Sequence, residues 1–435
     1  MRKKDAGFRS HLYAQKTLAG ILLVSMVGIT LSQAHATISE DLYTEILFLQ
    51  GLELGAGGRA LALGGAYRAL SDDFSGIYWN PAGLASVRRI EIGLGLSQSF
   101  INDETHTGAG TASNPLSRTR LNELGFVFPF PTYRGSLVIA AGYQQVHYFD
   151  SFGTFVITAD DSSFQGDELE SGRLGLWSLG AAMDLSPILS AGLALRFWTG
   201  YDDYSWTAVT LFSEPNTWSR TDQSINTDLS GFNVITGVLL RTTPWLRIGA
   251  ALETPLKLKH REQYDYFSET ISPVQYSTDG FSARYDYHIS RPFRSSIAAV
   301  AMIRRFGLSV DAVLNDWSQV AFQDEPPYIG LSQDQANREA ARRLRTTADF
   351  HAGCEYWIPF IDARVQAGYA FLPSPLKNKT VSGDKNVFSG GFSILLDQAL
   401  QVQGTVALTK WNRSIGGWEE KLQFSQFLVT LSYRF

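Results

Sequence analysis

From about Ile90 to the C-terminus, apolar and polar positions alternate with a period of two over segments of roughly ten or more residues. Trp177, Leu179, Ala181 and Met183 interleave with Ser178, Gly180 and Ala182. Leu246, Ile248, Ala250 and Leu252 interleave with Arg247, Gly249, Ala251 and Glu253. Leu400, Val402, Gly404, Val406 and Leu408 interleave with Gln401, Gln403, Thr405 and Thr409. A period of two puts one set of side chains on each face of a strand. In a transmembrane barrel the apolar set faces lipid and the polar or small set faces the lumen.

The connections alternate as well. Tight ones are centred on Pro131-Thr132-Tyr133, Ser186-Pro187, Thr243-Pro244, Arg304-Arg305, Pro359-Phe360 and Leu396-Asp397-Gln398. Long, polar, aromatic-studded stretches lie between them, near 101–120, 147–171, 203–228, 259–280, 317–346, 373–386 and 411–421. Short periplasmic turns and long extracellular loops produce this order. Six turns and seven loops join fourteen strands, with both ends in the periplasm. The count takes 281–303 as a single strand despite Pro292, where the lost ladder bond predicts a kink or bulge. The fold class expected is all-β: a transmembrane antiparallel barrel, with 90–435 forming the wall.

The last strand alternates Phe427, Val429, Leu431, Tyr433 and Phe435 with polar or small partners, and the sequence ends on Phe435. A terminal Phe on such a strand resembles the signal read by the outer-membrane assembly machinery, which makes that machinery an expected partner. At the other end, Arg2, Lys3, Lys4, Arg9 and Lys16 precede an apolar run from Leu18 to Leu31, followed by Ala34-His35-Ala36. That order is a secretory signal peptide over 1–36, and the run is too short to span a bilayer. Its removal takes away five Lys/Arg and one Asp, so the formal charge of −5 becomes −9. An acidic chain excludes nucleic acid as the expected partner. With a single cysteine, Cys354, no disulfide framework is available.

Residues 37–89 do not alternate. They hold a short helix candidate from Leu42 to Gln50, a Gly/Ala-rich stretch, and the run Gly64-Gly65-Ala66-Tyr67-Arg68-Ala69-Leu70-Ser71-Asp72-Asp73. Ile77-Tyr78-Trp79-Asn80-Pro81-Ala82-Gly83-Leu84 follows, with Asn80-Pro81 and Gly83 as turn formers. Gly and Ala suit backbone packed in a confined volume. This order, GRALALGGAYRALSDDFSGIYWNPAGLA, resembles the N-terminal hatch of the FadL/TodX family of outer-membrane hydrocarbon transporters. Gly249 to Pro255, Asp316-Trp317-Ser318 and Gly368 to Pro375 look like the family too, whereas the outer loops do not. The resemblance implies a fourteen-stranded barrel plugged by a partly helical hatch. It also implies capture of a fatty acid or hydrocarbon at the outer loops and its release sideways into the membrane.

Candidate binding residues follow from chemistry. Trp206, Phe212 and Trp218 on one expected loop, with Tyr264, Tyr266 and Phe267 on the next, are candidates for a hydrophobic capture groove; the plainer reading packs them loop on loop. Arg247 is a candidate for a fatty-acid head group, with pairing to the hatch as its plainer role. Gln335 to Arg345 reads as a short basic helix able to meet lipopolysaccharide phosphates or simply to sit in solvent. The five histidines after residue 36 have no metal spacing, no Ser/His/Asp order stands out, and Gly55-Ala56-Gly57-Gly58 lacks the Lys-Ser/Thr of a phosphate loop. Neither an enzyme nor a cofactor is expected. The function expected is uptake of long-chain fatty acids or other hydrophobic compounds. Its rival is a barrel that scaffolds partner proteins without transport.

Overall fold

The computed structural model describes residues 52–107, 110–159, 162–327, 331–379, 381–415 and 418–435. The signal peptide and the Leu42–Gln50 helix candidate lie outside the described residues. Fourteen antiparallel strands form a closed barrel. They are β1 Glu91–Thr107, β2 Gly110–Phe130, β3 Leu137–Tyr148, β4 Ser162–Asp184, β5 Leu189–Phe212, β6 Trp218–Thr243 and β7, split into Leu246–Glu253 and Leu256–Ser272. The rest are β8, split into Gln275–Arg291 and Arg294–Ile303, β9 Phe306–Asp316, β10 Thr346–Ile358, β11 Ala363–Leu372, β12 Lys385–Leu396, β13 Leu400–Ile415 and β14 Trp418–Arg434. Pairing of β14 with β1 closes the ring. No helix among the described residues is long and apolar enough to cross a membrane.

Alternation sets the two faces. Trp177, Leu179 and Met183 are about half exposed on the outside, while Ser178 and Ala182 are buried inside. The final strand does the same, with Phe427, Val429, Leu431 and Tyr433 outward and Gln426 and Leu428 buried. All six tight turns fall where the pattern placed them. Pro292 sits at the break in β8, beside the break at Thr254-Pro255 in β7, so the two strands bend together and the even count survives.

The expectation of long loops is corrected. Most of the stretches at 101–120, 203–228 and 259–280 are ladder-paired strand. β5 and β6 run for 24 and 26 residues, more than twice the ~9–11 that a crossing needs. A polar outer segment keeps alternating because a tall hairpin still has an inner and an outer face. Among the described residues of these stretches, only those within 317–345 and 373–384 are largely irregular, and the first contains helix α3, Gln333–Arg343. Its Ser332–Gln335 capping box fixes the start, and Ala336 and Ala340 are buried against Leu344 and Leu376.

Candidate functional site

Residues 52–87 lie against the inner face of the wall and are almost entirely buried. They form a two-residue strand Leu52–Glu53, helices α1 Gly58–Ala62 and α2 Gly76–Trp79, and a 3₁₀ turn Pro81–Ser86. The pieces are too short to be stable alone. Four sets of charged contacts tie them to the wall. Arg59 donates to both carboxylate oxygens of Glu355, at 2.7 and 2.8 Å, and to Asp72 at 2.6 Å. Arg68 meets Asp311 at 3.2 Å, and the same carboxylate oxygen accepts the backbone N–H groups of Tyr67 and Arg68 at 3.1 Å. Arg196 pairs with Glu253 at 3.0 Å and donates to the Tyr78 carbonyl. Glu53 accepts from Arg291 at 3.1 Å, from Arg294 at 2.8 Å and from the Tyr78 hydroxyl at 2.5 Å. Burial disfavours ionised Asp72, yet Arg59, Arg364, Arg247 and Arg434 hold its pKa down at about 2.

The turn formers have mechanical roles. The Asn80 side chain accepts from Ala82 N at 3.1 Å and donates to the carbonyls of Arg68 at 2.9 Å and Val238 at 3.1 Å. It thereby caps the turn that Pro81 begins and pins it to β6. Gly192, Gly237 and Gly249 on the wall make room: a Cβ on Gly237 would overlap the Asn80 side chain, and one on Gly249 would lie 2.7 Å from the Arg68 carbonyl oxygen. Gly64 and Gly65 have φ of +65° and +79°, and a Cβ on Gly64 would come within 2.6 Å of the Tyr369 backbone. A Cβ on Gly83 would overlap Ser71. Asp73 accepts from Ser75 N at 3.0 Å, starting the turn into α2.

Above this segment, on the side away from the tight turns, lies a cavity of about 80 Å³. Leu54, Trp79, Trp317, Leu372, Pro373 and Pro375 give it apolar walls, and Arg291, Arg294 and Lys385 place cations there against Glu53 and Asp349. Next to Leu52–Glu53 the wall itself changes. The β2–β3 ladder stops at Glu123–Gln144, and β3 bulges between Gln145 and His147. Leu52 and Glu53 pair instead with Tyr148 and His147. Side chains bridge the seam: Asn122 donates to the Tyr148 hydroxyl at 3.0 Å, as Gln426 does at 2.6 Å. Among the described residues the buried amides of Gln144 and Gln145 have no side-chain hydrogen-bond partner.

The aromatic candidates do not come together as one groove. Trp206 and Tyr264 are buried on the inner face of β5 and β7 with Phe164, Tyr204, Ala208 and Ile225, and Tyr266 packs against them. Phe267 is exposed on the opposite face of β7, and Phe212 and Trp218 flank the β5–β6 tip. Arg247 stands near the tight-turn end of β7, in the charge field of Asp72 and far from those aromatics. Sequence reading missed Arg291, Arg294, Lys385 and Glu355, whose only signal is a charge at a lumen-facing position. Among the described residues no group of His, Cys, Asp and Glu could hold a metal ion.

No family model and no curated protein matches the chain. Solved structures do. A FadL homologue of Pseudomonas aeruginosa aligns at TM-score 0.60 and 13% identity, over 88% of this chain and 99% of that one. The toluene transporter TodX of P. putida aligns at 0.62 and 13%, with the same coverage. The toluene transporter TbuX of Ralstonia pickettii aligns at 0.54 and 15%, again over 88% and 99%. At such identities the likeness establishes architecture, and the architecture of this chain is that of the FadL/TodX outer-membrane barrels.

Proposed function

We propose that this protein is an outer-membrane channel for hydrophobic compounds, closed by residues 37–89 as a hatch and emptied sideways through the β2–β3 seam. The observation that carries the reading is the cavity directly above residues 52–87, apolar on its walls and cationic at one side, next to a stretch of wall without a ladder. Apolar burial contributes about 0.8 kcal/mol per CH₂, so such a path offsets the loss of lipid contact for a passing acyl chain. Three cations against two carboxylates fit a ligand with an acidic head better than a neutral hydrocarbon.

At about 80 Å³ the cavity is smaller than the roughly 150 Å³ that holds benzene in an engineered core. Occupation therefore requires the hatch or the outer cover to shift, and the ligand supplies the driving force for its own gate. Buried amides without partners among the described residues, at Gln144 and Gln145, support the seam as a place where the fold tolerates cost for a use. The test is binding of a fluorescent C16 fatty acid and of toluene to the detergent-purified protein, with Lys385→Met and Trp317→Ala. Saturable binding is expected, weakened by Trp317→Ala for both ligands and by Lys385→Met for the acid alone. Absence of saturable binding to either ligand contradicts the proposal.

A further inference from the structure

The outward face of β5–β8 changes chemistry in layers as it leaves the membrane. Lowest is the lipid belt, where Phe197, Phe232, Leu252, Phe293 and Ile297 are each about half exposed. Directly above it, Lys257, Lys259 and Arg261 stand at alternate positions of β7, pointing out while Leu256, Leu258, His260 and Glu262 are buried. The ladder puts Lys257 beside Phe232, and Arg284 of β8 beside Gln263. Four cations thus occupy a band about 20 Å tall at ~3.4 Å per residue. The acids facing it are Asp286, at 3.4 Å from Lys259 and 3.8 Å from Arg261, Asp228, opposite Arg261 in the ladder, and Asp203 of β5, level with Gln263 and Arg284, with Asp265 one outward step above. His288 is engaged with Asp324. Among the described residues Lys257 and Arg284 stand in no ion pair, so two of the four cations are open to an anionic group.

Higher still is an open groove of about 580 Å³ on the same sheet. Ser205, Thr207, Asp222, Ser224, Asp265 and Ser282 line it with hydroxyls and carboxylates, and Phe267 adds an exposed ring. Apolar belt, cations, then hydroxyls with an aromatic face is the vertical order of an acylated, phosphorylated glycolipid. Acyl chains lie against the belt, phosphates reach the Lys and Arg groups, and sugars reach the groove.

We propose that this face of β5–β8 is a docking site for one phosphorylated glycolipid of the outer leaflet, with Lys257, Lys259, Arg261 and Arg284 taking its phosphates and the Phe267 groove its first sugars. The site rests on the outer-membrane reading of the barrel and not on transport. It differs from the basic helix α3 as a lipid contact, because α3 sits over the lumen, with Arg342 and Arg343 held by Glu339. A lipid fixed here would anchor the tall β5–β8 sheet at the level where the phosphate layer begins.

Native mass spectrometry of the full-length purified barrel tests this with bisphosphorylated lipid A, inner-core lipopolysaccharide, phosphatidylglycerol and inorganic phosphate as probes. One lipid A is expected to remain bound to the wild type. The triple variant Lys257→Gln, Lys259→Gln, Arg261→Gln is expected to bind it at least about tenfold more weakly, since each surface cation contributes appreciably to an anionic lipid contact. A control on the far side of the barrel, Lys410→Gln with Lys421→Gln, should change nothing. Inner-core lipopolysaccharide should bind more tightly than lipid A, and Phe267→Ala should remove that difference. Heat-modifiable gel mobility confirms that each variant is folded. Unchanged lipid A retention by the triple variant overturns the proposal. So does equal loss in the control, equal competition by phosphatidylglycerol, or displacement by millimolar phosphate. Failure of fatty-acid binding would leave lipid A retention standing, so the two readings fail separately.

Discussion

Arg59→Met is the sharpest perturbation of the proposed hatch. In the wild type its guanidinium and the Glu355 carboxylate are each about 5% exposed, joined by two hydrogen bonds of 2.7 and 2.8 Å. Removing the cation leaves Glu355 charged in a place it cannot leave, and breaking such a buried pair costs about 3–5 kcal/mol. Asp72, at 30% side-chain exposure, is partly solvated and keeps Arg247, Arg364 and Arg434 nearby, so its share is small. Taking the lower figure, about 3 kcal/mol, the undocked population rises roughly 150-fold, at tenfold per 1.4 kcal/mol. In a planar bilayer the wild type is expected to sit at background conductance and Arg59→Met to show frequent openings. The double variant Arg59→Met, Glu355→Met should close again, because an apolar pair of similar volume often replaces a buried ion pair without loss. Equal conductance of the single and double variants, or a silent Arg59→Met that is folded, refutes the reasoning.

Three further outcomes follow from the same contacts. Asn80→Ala removes three hydrogen bonds, two within the segment and one that pins the Pro81 turn to β6, so amide exchange across 76–87 should speed up while the wall stays protected. Asp72 has a folded pKa depressed to about 2 from an ordinary 3.8, so its contribution to docking is complete above pH 3.8 and fades as pH falls toward 2. Conductance at pH 5 should therefore match that at pH 7, whereas an opening midpoint near pH 5 would mean that another group controls the hatch. Phe435→Ala should lower the amount of barrel assembled in the outer membrane with little change in its melting temperature. The ring is 64% exposed, and the bond that Phe435 N donates to Ile90 O survives the change.

Strand number, the two faces and the turns were legible because closure in lipid leaves the sequence few choices. A residue such as Leu179 faces outward and Ser178 the lumen, and the tight turns all lie at one end, as the pattern of a membrane barrel demands. Pro292 was read as a kink for the same reason, since its missing N–H breaks a ladder without ending a strand. Outer segments were misjudged because strands that stand clear of the membrane alternate weakly between polar and aromatic residues. Trp206 and Tyr264 look like loop aromatics until the ladder places them on the inner face of one tall sheet. The charged anchors were the least legible part. Arg59 and Glu355 are 296 residues apart, and Arg68 and Asp311 are 243 apart, so nothing local links them. Only an odd charge at a lumen-facing position, such as Glu355 between apolar neighbours in β10, hinted that a partner was owed.

Uptake of radiolabelled palmitate by proteoliposomes carrying the full-length protein tests the central claim most directly. Saturable uptake is predicted, several-fold slower with Trp317→Ala and absent from protein-free liposomes, while wild-type ion conductance stays at background. Uptake indistinguishable from protein-free liposomes, for palmitate and toluene alike, would contradict the account and leave a barrel that holds partner proteins as the better reading.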